Sequence, residues 1–355
     1  MTTTQIMDRA VTERGYPGMV TEVRSGGQRW FGSAGVAELG TGRERLAEEQ
    51  FRVGSITKTF TATVVLQLAA EYVLSLDDTV EKWLPGLVQG NGHDGSRITI
   101  RHLLSHSSGL FAFTLDEDML RRYASPELLG HRFDRWTPQE LVKISLTHPA
   151  DFEPGKGFAY SNTNFVLAGM IIERATGMSY ADVVDVRIIR PLKLAGTYAA
   201  GRETEFRGPH THSYSRLTLP DADVPAHDVT ELDATYGFAT GELVSTTADL
   251  ATFLGALLGG RLLPSTQLDE MLTMTPVPDG MWLDGYSYGL GLSSFELPCG
   301  TTVYGHGGMI TGNWSYLYGT RDGAKVAVTN VNGDWGCPPL DLFPEVLDAA
   351  FGPAD

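Results

Sequence analysis

The stretch Gly54-Ser55-Ile56-Thr57-Lys58 opens the most apolar helical pattern in the chain. Beyond it Ile56, Phe60, Val64 and Leu68 recur at four-residue spacing, and Val65, Leu66 and Ala69 widen the stripe. A helix with so broad an apolar face is expected to be buried. Ser55 then stands at its N-terminus, where unpaired N–H groups offer positive potential to a developing oxyanion. Lys58 follows one turn later on the same face. Burial of that amine would lower its pKa and free its lone pair to act as a base. A serine hydroxyl is a weak nucleophile without such a base. An N-cap serine beside a solvated lysine has the same spacing, so Ser-x-x-Lys alone leaves both readings open.

Outward from this helix, the two ends of the chain are strand-rich and the middle is helical. Residues 19–24 and 28–35 read as strands around the Gly26-Gly27 turn. Residues 286–295, 301–304, 314–320 and 325–331 are strand-like, with Asp322-Gly323 turning the last hairpin. Between the ends, Thr137-Pro138-Gln139-Glu140 carries an N-cap, a first-turn proline and a glutamate at the third position. Residues 165–176 form an apolar helical run stopped by Gly177. Leu250, Phe253, Leu254, Leu257 and Leu258 follow the capping candidates Ser245 and Thr246 at helical spacing. Residues 110–136 lack a regular pattern and are expected to flank a cleft. The simplest architecture is an α/β (α+β) fold: an antiparallel sheet built from both chain ends and flanked by helices, plus a mostly helical lobe. The expected division is 1–75 with 240–355 for the sheet lobe and 76–239 for the helical lobe, with a groove between them.

The chain has 355 residues, 42% hydrophobic and 20% charged, enough to bury a core. Its 27 basic and 43 acidic residues give a net charge of −16, which argues against a general nucleic-acid or anionic-membrane binder. The apolar run at 62–76 is broken by Gln67, Glu71 and Ser75, so no membrane span is expected. The first ten residues carry no apolar signal core, so a cytoplasmic location is expected, or a secreted one if a leader has been removed. Two cysteines, Cys299 and Cys337, do not make a disulfide scaffold. A bridge between them would be worth roughly 3–4 kcal/mol, but free thiols are the expectation.

Two further features carry chemistry. Tyr160-Ser161-Asn162 precedes a helix, and a tyrosine beside a lysine can move protons. Tyr304-Gly305-His306-Gly307-Gly308 follows a strand, and its glycines allow a substrate to approach the backbone. Each alone is an ordinary turn. In order, Ser55-x-x-Lys58, Tyr160-x-Asn162 and His306-x-Gly308 resemble the three-element signature of the serine penicillin-recognising enzymes. The flanking runs at 51–55, 98–110, 160–165 and 288–292 are similar to that family, and the resemblance spans about 18–351. It is nearest to the soluble D-alanyl-D-alanine carboxypeptidases and class C β-lactamase-like proteins.

The resemblance implies a β-lactamase/transpeptidase-like fold and a serine acyl-enzyme mechanism that needs no cofactor and no metal. Ser55 would be the nucleophile, and Lys58 and Tyr160 would move its proton. Asn162 would position Lys58 and the substrate amide. His306 stands where many relatives carry lysine, so its help would depend on pH. The backbone N–H groups of Ser55 and Met309 would form the oxyanion hole. Gly307 and Gly308 would lie along the substrate, and Tyr236 would be an aromatic wall. Departures are plain: Ser293-Ser294-Phe295 replaces an expected arginine region, and Gly307 and Met309 replace hydroxyl residues. These losses remove a clamp for a terminal carboxylate.

The expected reaction is therefore acyl transfer on a peptide with a D-configured residue, cut as an amide. Alternatives are cyclisation of a nonribosomal peptide released from a carrier protein, an esterase, and a non-catalytic acylation sensor. The expected partner is a small molecule or peptide. A Gly-x-Ser-x-Gly elbow is absent, which disfavours an α/β-hydrolase. His210-x-His212 has the spacing of a metal pair, but no third ligand is recognisable and solvated loop histidines are expected. His102 and His106 read as structural.

Overall fold

The computed structural model describes residues 1–217, 224–283, 285–335 and 341–352. Its organising element is a nine-stranded sheet to which both chain ends contribute. In chain order its strands are β1 (Gly18–Ser25), β2 (Gln28–Glu38), β3 (Arg43–Glu44), β4 (Thr275–Pro276), β5 (Ser287–Tyr288), β6 (Ser293–Glu296), β7 (Thr302–Ile310), β8 (Asn313–Gly319) and β9 (Lys325–Val331). The spatial order is β4-β5-β6-β7-β8-β9-β1-β2-β3. β1 lies between the chain's last strand and its second, with Met19 opposite both Val331 and Ala34. Among the described residues every strand pairing within this sheet is antiparallel, as the turn chemistry at Gly26-Gly27 and Asp322-Gly323 requires.

Alternation along the strands divides the apolar residues between two cores. On β8, Tyr316 and Tyr318 pack with the end helices α1 (Thr3–Thr12) and α7 (Leu342–Phe351), whereas Leu317 points to the opposite core. That larger core is built around α2 (Thr57–Ala70), whose Phe60, Val64 and Leu68 are buried. It includes α3 (Pro138–Leu146), α4 (Asn162–Thr176) and α6 (Thr247–Leu258), with the short helix α5 (Phe238–Gly241) contributing Ala239. The Phe60 and Phe253 rings stack 3.6 Å apart where α2 meets α6. Burying each such side chain stabilises the fold by about 1.5–3 kcal/mol.

The capping signals hold where they were read. Thr137 and Glu140 form a capping box on α3, Thr246 caps α6, and Gly177 ends α4 in the left-handed conformation. Three expectations are corrected. Residues 286–295 are not one strand, because Gly291 turns at φ +77° and presses on Ala62 of α2, splitting the run into β5 and β6. The glycine-rich third motif lies inside β7 rather than after a strand. The end helices α1 and α7 were not anticipated, although Thr2 and Gln5 form a capping box at the first. Cys299 is an exposed free thiol, and Cys337 lies outside the described residues. No helix among the described residues is long and apolar enough to cross a membrane.

Candidate active site

Ser55 sits in the turn that launches α2, a single 3-10 turn over Gly54–Ile56. Gly54 adopts φ +55°, and a Cβ there would stand 2.5 Å from the Met309 carbonyl oxygen. From the other side, a Cβ on Gly308 would stand 2.0 Å from the Val53 carbonyl oxygen. The two glycines thus allow β7 to lie backbone to backbone against the serine turn. Strand β6 pairs with β7 only as far as Gly305. The following residues, His306 to Ile310, line a cavity of about 440 Å³ together with Ser55. Met309 therefore lies beside Ser55 on the stretch of β7 that β6 leaves unpaired.

Lys58 is fully buried. Its Nζ lies 2.9 Å from Ser55 Oγ and donates to the Thr240 carbonyl at 3.1 Å, a group supplied by α5. The Tyr160 ring lies 4.9 Å from the same nitrogen and the Phe165 ring 5.7 Å. Burial holds the amine well below its usual 10.5. Burial acts on Tyr160 in the opposite sense: it raises the phenol, and a hydrogen bond with Ser55 offsets part of the rise. Burial thereby disfavours the charged form of both groups, an amine and a phenol beside one hydroxyl. The amine can accept the serine proton, and the phenol can donate one.

The structure gives Asn162 and Lys58 other partners than each other. The Asn162 amide nitrogen donates to Thr114 Oγ1 at 3.0 Å, and the Thr240 carbonyl is what holds Lys58. Burial pushes the His306 imidazole down to about 3, so burial favours its neutral form at neutral pH. Its Nδ1 meets the Gly307 carbonyl, which can only accept, so Nδ1 carries the hydrogen and Nε2 accepts from the Tyr288 hydroxyl at 3.0 Å.

His106, read as structural, stands directly behind the catalytic candidates. It holds φ +55°, and its ring lies 4.2 Å from the Tyr160 ring. Its Nδ1 accepts from the Ser161 N–H and from the Asn164 amide, each at 3.1 Å. It thereby ties the start of α4 to the back of Tyr160. No sequence spacing links His106 to Tyr160; only the fold brings them together.

Ring contacts in the cavity fall into two groups. Tyr160, Trp282, Tyr286, Tyr288 and His306 form one, with the Trp282 ring meeting the Tyr160 ring edge-on at 5.3 Å. Tyr236 forms the other with Tyr123, stacked at 4.3 Å, and Leu115, Met119 and Leu120 also line the cavity. From the 110–136 segment, expected to flank a cleft, Thr114, Leu115, Met119, Leu120, Tyr123 and Ala124 line the cavity. The other histidines singled out in the sequence, His102, His210 and His212, do not line this cavity. His212 bonds Asp228 at 2.6 Å beside His210, and His102 accepts from the Thr99 N–H. Among the described residues, no group of three or more metal-ligating side chains is close enough to hold an ion.

Comparison with known proteins places this geometry in context. The family model named Beta-lactamase matches residues 3–337. A D-stereospecific amidohydrolase from Streptomyces sp. superposes with a TM-score of 0.90, at 46% identity over 98% of this chain and 97% of its own. The D-amino acid amidase of Ochrobactrum anthropi SV3, solved with D-phenylalanine, superposes with a TM-score of 0.84 at 27% identity, covering 98% of this chain and 97% of its own. Penicillin-binding protein 4* of Bacillus subtilis is 28% identical over 310 residues, which cover 82% of this chain and 63% of that longer protein.

Proposed function

Because this chain belongs to the Beta-lactamase family and is a serine hydrolase, we propose that it hydrolyses amides of D-configured residues through an acyl-enzyme on Ser55. One observation carries the reading: a buried amine with no acidic partner among its hydrogen bonds lies 2.9 Å from the hydroxyl of Ser55. Lys58 takes the proton as Ser55 Oγ attacks the carbonyl carbon. The oxyanion forms against the backbone N–H groups of Ser55 and Met309. Tyr160 donates its proton to the departing amine and is recharged by Lys58. Water then enters by the same route in reverse, and the acid is released.

The D-configuration is supported by the two amide-cleaving neighbours, both named for D-configured substrates. An uncharged leaving group, rather than a free carboxylate, is supported by the lining of the cavity. Among the described residues it includes no arginine or lysine. The Ser293 hydroxyl is already engaged with the Gly305 carbonyl and Tyr318. The test is intact-mass spectrometry with D- and L-phenylalanine amide. A D-selective acyl adduct that disappears in Ser55→Ala is expected. Equal labelling by both enantiomers would overturn the stereochemical assignment, and labelling of Ser55→Ala would overturn the nucleophile.

A further inference from the structure

We propose that the ring-lined end of the cavity is the subsite for the departing amine, and that it selects amines bearing an aromatic or bulky apolar group over ammonia. This rests on the roles of Ser55 and Tyr160 given above.

The leaving group needs a proton. A leaving nitrogen must come within hydrogen-bond reach of its donor, and Tyr160 is the neutral acid bonded to Ser55. Whatever is attached to that nitrogen continues past Tyr160. There it meets the Trp282 ring, its centroid 5.3 Å from that of Tyr160, and then Tyr286 and Tyr288. The acyl part is left with the second ring group, the stacked Tyr123 and Tyr236.

The tyrosines of this chamber do not present free hydroxyls. Tyr288 donates to His306, and Tyr286 bonds Tyr318. Tyr318 donates to Ser293 at 2.9 Å, and Ser293 donates to the Gly305 carbonyl at 3.1 Å. With their polar ends engaged inside the sheet, the rings offer apolar faces and edges to a ligand. Neighbouring strands β5, β6, β7 and β8 fix them, and Tyr286, Tyr288 and Tyr318 are buried. A rigid ring-lined wall favours a flat apolar partner. Ammonia would use none of it.

The same subsite must admit an amine when the reaction runs by aminolysis. The free-base amine attacks the acyl carbon, a C–N bond forms and the bond to Ser55 Oγ breaks. The amine proton passes through Tyr160 and Lys58 and ends on Oγ, so no other reactant is needed. This makes the subsite measurable apart from acylation.

The experiment acylates the enzyme with D-phenylalanine methyl ester in the presence of phenethylamine or n-propylamine at equal free-base concentration. Amide and acid products are quantified against a Ser55→Ala blank. Phenethylamine is expected to divert half of the acyl-enzyme at a concentration at least tenfold lower than n-propylamine. Trp282→Ala should reduce that advantage to threefold or less. Equal diversion by the two amines, or hydrolysis alone with both, would overturn the proposal, and this comparison needs only the wild-type chain. A parallel arm with p-nitrophenyl acetate as donor reads the same ratio if the D-ester fails to acylate. Failure of the D-residue reading is thereby separated from failure of this one.

Discussion

Replacing Gly308 by alanine tests the apposition on which the oxyanion hole depends. The added methyl carbon would stand 2.0 Å from the Val53 carbonyl oxygen and 3.3 Å from Ile56 Cγ1. A carbon rarely approaches an oxygen within 3.0 Å, and the obstacle is backbone, so it cannot rotate away. Strand β7 must therefore retreat from the serine turn by about 1 Å, a misplacement that typically costs ~100-fold in rate. Loss of one oxyanion donor outright costs a similar ~100- to 1,000-fold. Overpacking itself should cost only about 1–3 kcal/mol of stability. The expected outcome is a folded protein, by near-ultraviolet circular dichroism and urea midpoint, whose acylation rate constant falls by about two orders of magnitude. The assay is rapid-quench intact-mass measurement of the Ser55 adduct. A folded variant acylating within threefold of wild type would refute the claim that Gly308 brings Met309 to the serine.

Three further outcomes are expected. Lys58→Met should reduce acylation by at least ~100-fold, the usual worth of a general base, yet raise stability at pH 7. The sign follows because the folded pKa lies below the unfolded one, so the unfolded chain binds more protons between the two. Wild-type stability should climb with pH in that window by up to about 1.4 kcal/mol per unit, and Lys58→Met should lose the slope in urea titrations. With His306 held at about 3, kcat/KM should show no inflection near 6.5 that disappears in His306→Gln; finding one would restore the pH-dependent role. His106→Ala removes both the ring behind Tyr160 and the acceptor for the Ser161 N–H, so kcat should fall tenfold or more with KM little changed. His106→Asn suits the positive φ and keeps an acceptor, so it should recover part of kcat in the same steady-state assay.

Much of this arrangement is legible in residues alone because local rules agree with the global packing. The apolar stripe from Ile56 to Leu68 foretells a buried helix, and burial of that helix is what lowers Lys58. Asp322-Gly323 foretells the hairpin that joins β8 to β9. The reading fails where a long-range contact overrides a local pattern. The alternating run around Gly291 looks like a strand, but contact with Ala62 turns it. The amide of Asn162 has the right reach for a lysine, yet Thr114 and the Thr240 carbonyl divide those bonds otherwise. His106 comes to Tyr160 through a left-handed residue and two hydrogen bonds to the start of α4, none of which has a spacing signature. The neutrality of His306 is likewise a property of burial beside Lys58, not of the histidine itself.

The central claim is that Ser55 is activated by a lysine kept uncharged. Its most direct test is a carbon-13 NMR titration of the lysine ε-carbons, with the Lys58 signal assigned through Lys58→Met. This resonance is expected to change protonation state well below 10.5, leaving the amine neutral under assay conditions. A resonance still cationic at pH 9 and titrating with the exposed lysines would contradict it.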